Sequence, residues 1–221
     1  MVGTNRRVIE RDAPREYLGN RAIRREWEQA LEIDALAEMA YLAMWISGGR
    51  IEETLRLMRR QIDWDDVSLT IQGMMVEKRR KKFWRDVYVA RDDKDPLVER
   101  FIERVEGCDT EYLMPSYRKR DSWVSQFPVY KRIVKIREPL VRSGTLWPHL
   151  IRDQRAFFMK EVRGLDIYEL KEWFAWARIE QPAHYVGNPT QESIKRKLGF
   201  KSTSSYGSAD GSSGTQSKTV P

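Results

Sequence analysis

From Arg21 onward apolar residues recur at helical intervals, with Ala22, Trp27, Leu31 and Ile33 on one face, which predicts a first amphipathic helix. The next stretch, Leu36 to Trp45, is apolar almost throughout and predicts a helix buried on all sides, stopped at Gly48-Gly49. A short helix from Ile51 to Arg60 follows. The period then changes: Val67 to Gln72, Met74 to Lys78 and Trp84 to Val89 read as strands of a small antiparallel sheet. Gly73 fits a tight connection between two of them, and the cations after Lys78 fit a hairpin tip.

Helices are expected again over Asp95 to Glu106, where Leu97, Phe101, Ile102 and Val105 share a face, and from about Asp121 to Val141 despite Pro128. Pro148 at a first-turn position opens another to Arg163, with Gly164 as its stop, and Asp166 starts one to about Ala175. Pro182 confines the piece around Tyr185 to a short helix or turn. Thr190, Ile194 and Leu198 suggest a last short amphipathic helix. The fold class expected is therefore α+β and mainly α, a helical bundle with one small three-stranded antiparallel sheet.

At 221 residues the chain suits a single domain. We expect that domain over residues 21–200, a flexible polar arm over 1–20, and a disordered tail over 201–221, where Ser- and Gly-rich composition cannot offset the entropy of ordering a backbone. No internal repeat is evident. A single cysteine, Cys108, excludes an internal disulfide framework, and with two histidines no zinc constellation of the usual spacing can be built. No metal or cofactor is expected. The chain has no apolar run of membrane-spanning length and no signal-peptide pattern, so a soluble cytoplasmic location is expected, without a membrane partner.

Forty Lys and Arg against 33 Asp and Glu give a formal charge of +7. That total favours a polyanionic partner only weakly, since many basic proteins bind none. Its distribution says more: from Glu77 to Arg85 the run carries six cations, Lys78, Arg79, Arg80, Lys81, Lys82 and Arg85, against one anion. Such a run is either a solvated charged face or a contact for a nucleic-acid backbone.

Chemistry-bearing residues stand at suggestive intervals. Arg50 lies in Gly48-Gly49-Arg50-Ile51-Glu52-Glu53. His149 and Arg152 form His-x-x-Arg behind Pro148. Trp176 precedes Tyr185 by nine residues. Two arginines can clamp a phosphodiester, because the planar guanidinium matches phosphate oxygens and stays charged. A tyrosine oxygen can then attack phosphorus, with an imidazole and an indole N–H among the supporting groups. Singly, each arginine reads as a solvated charge and each of nine tyrosines as core or interface.

In order and spacing these boxes resemble the catalytic domain of the tyrosine recombinases, the phage integrase family. The likeness runs from about Ala30 to Phe200 and includes Leu55, Leu57 and Ile62-Asp63 after the first box, and Ala156 and Gly164 after the second. The resemblance implies that Arg50 and Arg152 clamp the scissile phosphate, that Glu53 orients them, and that His149 accepts or shuttles the nucleophile's proton. It also implies that Trp176 packs against the phosphate and that Tyr185 forms a 3′-phosphotyrosyl bond, conserving bond energy without ATP or metal. A hairpin lysine would protonate the leaving 5′-oxygen. Lys78 fits best, with Lys81 and Lys82 as alternatives, while Arg79, Arg80, Lys81, Lys82 and Arg85 would contact DNA.

The implied function is a site-specific DNA recombinase or integrase of a virus, plasmid or other mobile element. It would work on double-stranded DNA as a homotetramer in the synapse, in a prokaryotic nucleoid or an infected host cell. A catalytically silent DNA-binding protein on the same scaffold is the alternative. Two departures stand out. Asp153 occupies the position after Arg152 where a second histidine is common, and His184 beside Tyr185 is off pattern and treated as incidental. Only some twenty residues precede the catalytic pattern, where the family usually carries an N-terminal core-binding domain, so the expectation is either a catalytic fragment or a minimal enzyme.

Overall fold

The computed structural model describes residues 16–78, 81–119, 121–141 and 143–186. The expected arm over 1–20 is thus described only from residue 16, and the helix from Thr190 and the tail over 201–221 lie outside the described residues. Everything described belongs to one unit that ends at Gly187.

Helix α1 (Asn20–Ile33) turns Ala22, Ile23 and Ala30 inward. Asp34 ends it and caps α2 (Ala35–Ser47), its carboxylate accepting from the Ala37 amide at 2.8 Å. Every residue of α2 from Ala37 to Ser47 is buried, in keeping with a run that is apolar but for Glu38 and Ser47, so α2 is the axis against which most of the other helices pack. Gly48 then adopts a left-handed conformation (φ 57°) that closes the helix. The expected helix from Ile51 to Arg60 is only α3 (Ile51–Thr54), followed by a turn and a 3₁₀ segment at Arg59–Gln61.

The sheet has the order β1 (Ile62–Trp64), β2 (Ser68–Lys78), β3 (Lys81–Ala90), antiparallel throughout. Three strands were expected, but they are divided differently. The two segments on either side of Gly73 are one strand. Gly73 (φ 58°) sits in a bulge between Ile71 and Met74, its amide donating to the Asp86 carboxylate at 2.8 Å. The third strand is β1, pairing Ile62 with Ile71 and Trp64 with Leu69. Leu69, Ile71, Met74, Val76, Val87 and Val89 form the buried face, leaving Trp84 and Tyr88 exposed. The hairpin tip pairs Lys78 with Lys81.

Helix α4 (Val98–Glu106) buries Val98, Phe101, Ile102 and Val105. Where a long helix was expected over 121–141, the structure has α5 (Gln126–Ile133) alone. Pro128 is accommodated because first-turn amides need no intrahelical acceptor; the helix ends at Ile133, and Pro139 would in any case bar a helix running through to 141. The chain folds back instead, Leu146 N donating to Ile136 O at 2.9 Å. Helix α6 (Pro148–Glu161) starts on its proline. Asp166 caps α7 (Ile167–Trp173) in a capping box with Glu169. Helix α8 (Glu180–Val186) is the short piece Pro182 led us to expect. No helix among the described residues is long and apolar enough to cross a membrane.

Buried charges tie α2 to its neighbours. Arg155 of α6 pairs with Asp95, which also accepts from Trp45 Nε1 at 2.9 Å, and the guanidinium lies over the rings of Trp45 and Phe158. Beneath α1, Glu26 accepts from Tyr41 at 2.6 Å beside Glu138, which Arg25 holds at 2.8 and 2.9 Å.

Burial, then the bond to Glu138, pushes Glu26 well above the ordinary carboxyl range. The native state therefore retains a proton that the unfolded chain releases near 4.5, so stability from this group is greatest below that pH and declines as pH rises toward the native pKa. Glu26→Gln, which keeps an acceptor for Tyr41, should flatten that decline. Urea unfolding from pH 5 to 8 should show the variant gaining on the parent chain as pH rises.

Candidate active site

The C-terminal end of α2 gathers the predicted residues. Because Gly48 and Gly49 leave the helix without side chains, other groups approach the backbone closely: a Cβ on Gly49 would stand 2.3 Å from Met74 Cε, and one on Gly48 would stand 2.6 Å from Phe174. Arg152 uses the space, donating to Gly48 O through Nη1 and to Phe174 O through Nη2 at 3.2 Å. Arg50, next along the chain, reaches Glu53 Oε1 at 2.7 Å, and Glu53 Oε2 accepts from the Arg50 amide at 2.8 Å. The same carboxylate lies 3.8 Å from Arg152 Nη1. Glu53 thus stands between the two arginines. Burial alone would raise its pKa, but Arg152, the Arg50 amide and the Arg50 guanidinium outweigh burial and hold it below the ordinary range.

The two arginines differ in access. Arg152 is 2% exposed, whereas the Arg50 side chain is 36% exposed and lines a cleft of about 820 Å³. His149, exposed on the first turn of α6, borders the same cleft, with Arg56, Met75 and Tyr130 among the other walls. Arg50, Arg152 and His149 therefore gather around one end of α2, with Arg152 behind Glu53 and the other two on the cleft.

Trp176 joins from the other side. Ala175 takes a left-handed conformation (φ 49°), unusual for a side chain, and the Trp176 amide closes back on Lys171 O at 2.8 Å. This turn lays the indole parallel to Phe174 (4.5 Å between centroids, 11°) and to Tyr185 (5.3 Å, 3°), with the Arg152 guanidinium 5.6 Å from the indole centre. The structure brings Tyr185 into the group through this stack and through the edge of Phe157 at 5.1 Å. Its hydroxyl donates to Asp153 Oδ1. Burial, then the Asp153 charge, raises the phenol's pKa well above its ordinary value.

Of the predicted DNA-contacting cations, Arg85 departs from expectation. It is 8% exposed, donating to Ser47 O through Nη2 at 2.7 Å and to Trp173 O through Nη1, with its guanidinium over Trp173. Strand alternation explains this: Arg85 lies opposite Met74 on the buried face, while Trp84 and Asp86 point outward. Burial and then Arg152 pull its pKa down from the ordinary guanidinium range. Lys82 is exposed on the hairpin, and the backbone sets Lys78 opposite Lys81. Arg79 and Arg80 lie outside the described residues.

Sequence reasoning passed over a second exposed group beside the cleft. Phe127 and Tyr130 of α5 are 63% and 44% exposed, Lys131 Nζ lies 4.4 Å from the Phe127 ring, and Arg56 lies over Trp123. The interleaving of aromatics and cations between Tyr117 and Lys135 was the available signal.

With this geometry in hand, comparison with known proteins identifies the architecture. It is the tyrosine recombinase catalytic fold. The XerH site-specific recombinase bound to its difH substrate in a pre-cleavage complex superposes with a TM-score of 0.59 at 16% identity, over 85% of this chain and 54% of that one. XerA recombinase gives 0.53 at 16% identity over 83% and 62%. The Tn1549 transposon integrase in complex with circular intermediate DNA gives 0.51 at 12% over 73% and 58%. The chain therefore matches between about half and three-fifths of the length of these structures. No protein-family model matches the sequence, and no curated protein matches it.

Arg50, Arg85 and Arg152 face Glu53 and Asp153, an excess of positive charge that an anion would relieve. Inorganic phosphate should therefore raise Tm in a saturable way, a concentration 100-fold above Kd adding about 2.7 kcal/mol. Arg50→Gln should lose most of that gain, and an equal gain in the variant would place the anion elsewhere. Arg85→Met should cost about 2–4 kcal/mol in urea unfolding, because two buried carbonyls lose their donor.

Proposed function

We propose that this chain is the catalytic domain of a site-specific DNA recombinase or integrase, cleaving and rejoining DNA through a 3′-phosphotyrosyl intermediate. The observation that carries the reading is the linkage of Arg50, Glu53, Arg152, Trp176 and Tyr185 into one contact network from parts of the chain more than a hundred residues apart. Coincidence of motif spacing would not require that convergence.

In this reading the scissile phosphate enters the cleft over Arg50 and His149. Glu53 keeps both guanidiniums fixed and charged. Charge builds on the non-bridging oxygens in the pentacoordinate transition state, and paired donors already in position stabilise it without reorganisation. Arg152, anchored on two carbonyls, holds its place while Arg50 meets solvent and substrate. Arg85 acts at one remove by fixing Ser47 and Trp173, the residues from which the Arg50 and Trp176 segments depart. Tyr185 supplies the nucleophile.

A cation of the β2–β3 hairpin, Lys78 in the first instance and Lys81 or Lys82 otherwise, protonates the departing 5′-oxygen. Arg56, Lys131 and the exposed rings of Phe127 and Tyr130 would hold backbone and bases beside the cleft, and Arg79, Arg80 and Lys82 remain proposed DNA contacts. The XerH and Tn1549 structures contain DNA, which supports duplex DNA as the partner. We further infer assembly as a tetramer on two duplexes and an origin in a virus, plasmid or other mobile element.

Tyr185→Phe should abolish the covalent protein–DNA adduct while DNA affinity stays within about twofold, since only the phenolic oxygen is lost. Arg50→Lys should slow adduct formation about 10²- to 10³-fold, because a point charge cannot replace the bidentate fork. Adducts are read on denaturing gels with nicked duplexes selected from a randomised library. DNA binding without any adduct from the parent chain would instead identify a silent DNA-binding protein.

A further inference from the structure

His149 was expected to accept or shuttle the proton of Tyr185, and the hydrogen bond of the Tyr185 hydroxyl runs to a second group on the same helix. That hydroxyl donates to Asp153. His149 is exposed at the start of α6, whereas Asp153 lies one turn further along that helix, partly buried beside Arg152. Resting on the recombinase reading, we propose that Asp153 is the proton acceptor for Tyr185 during cleavage and returns the proton during rejoining.

The first requirement of a general base is that it reach the proton it removes, and Asp153 already holds that proton in a hydrogen bond. Tyr185 is fixed by the parallel indole of Trp176 and the edge of Phe157, so its oxygen has little freedom except about this bond. The charged groups that act on Tyr185 besides Asp153 are Arg152 on α6 and Arg50 at the start of α3, with Glu53 and Arg85 in turn beside those arginines, and His149 stands one turn before Asp153 on α6. Before substrate arrives, burial and then the Asp153 charge keep the phenol protonated, against the pull of Arg152 and Arg50.

The step balances without a co-reactant. The Tyr185 Oη–phosphorus bond forms as the phosphorus–O5′ bond breaks. The phenolic proton passes to the Asp153 carboxylate, and O5′ takes a proton from a hairpin cation or water. Rejoining reverses each transfer, so Asp153 ends ionised as it began.

The test uses the whole chain and the selected nicked duplexes. Asp153→Asn retains an acceptor for the Tyr185 hydroxyl but not its proton affinity. Single-turnover adduct formation should fall about 10²- to 10⁴-fold at unchanged DNA affinity. The variant should also lose the limb of the pH–rate profile that reports a carboxylate, a change that a purely structural role would not produce. A rate within threefold of the parent's, with the same profile, would overturn the proposal and leave the recombinase reading intact. A faster variant would also overturn it and make Asp153 a restraint on the nucleophile. A parent chain that forms no adduct would remove both. Independently of activity, the ¹⁹F resonance of 3-fluorotyrosine at position 185 should titrate with a carboxylate in the parent chain and not in Asp153→Asn. A resonance indifferent to the substitution would remove the hydrogen bond on which the proposal stands.

Discussion

Guanidiniums outnumber carboxylates where α2 ends, and they are held there chiefly by backbone oxygens. Gly48 O and Phe174 O receive Arg152, and Ser47 O and Trp173 O receive Arg85. Carbonyl dipoles satisfy the N–H groups without cancelling the charge, so the region stays electropositive although much of it is buried. A carboxylate on each arginine would instead cancel that charge. Placing Glu53 between Arg50 and Arg152 is intermediate: it orients both while leaving net positive charge.

The rest of the architecture serves this arrangement. The largely apolar α2 must be covered on every side, which brings α6 and the sheet to its C-terminal end. The glycines at positions 48 and 49 then bare the backbone that Arg152 and Arg85 require. The aromatic stack of Phe174, Trp176 and Tyr185 extends the same contact outward, because a guanidinium over an indole face fixes the ring that fixes the phenol. Elements that need no charge, such as α4 and the buried face of the sheet, follow ordinary apolar periodicity.

That division accounts for what could be read from the sequence. Elements governed by local pattern were legible: α2 from its apolar run and Gly48, α6 from Pro148, α7 from Asp166. Elements governed by pairing were less so. The three residues of β1 carry too little alternation to be seen alone, and Gly73 looks like a turn unless β3 is known to continue past it. The overlong helix around α5 came from discounting Pro139. Motif spacing brought out Arg50, Glu53, His149, Arg152, Trp176 and Tyr185, and the structure gathers these around one end of α2. Arg85 was misread because six cations in a run look alike until strand alternation sends one inward. The bond from Tyr185 to Asp153 joins residues 32 apart on different helices, and no local signal announces it.

The carbonyl anchors of Arg152 also bear on how the protein is made. Gly48 and its arginine are separated by 104 residues, and the oxygen of Phe174 follows later still. Translation proceeds from the N-terminus, so Arg50 and Glu53 emerge from the ribosome long before Arg152. A nascent chain that has passed the sheet accordingly lacks both the guanidinium that Gly48 O receives and the aromatic rings that cover it, so the end of α2 can close only once Phe174 has been made.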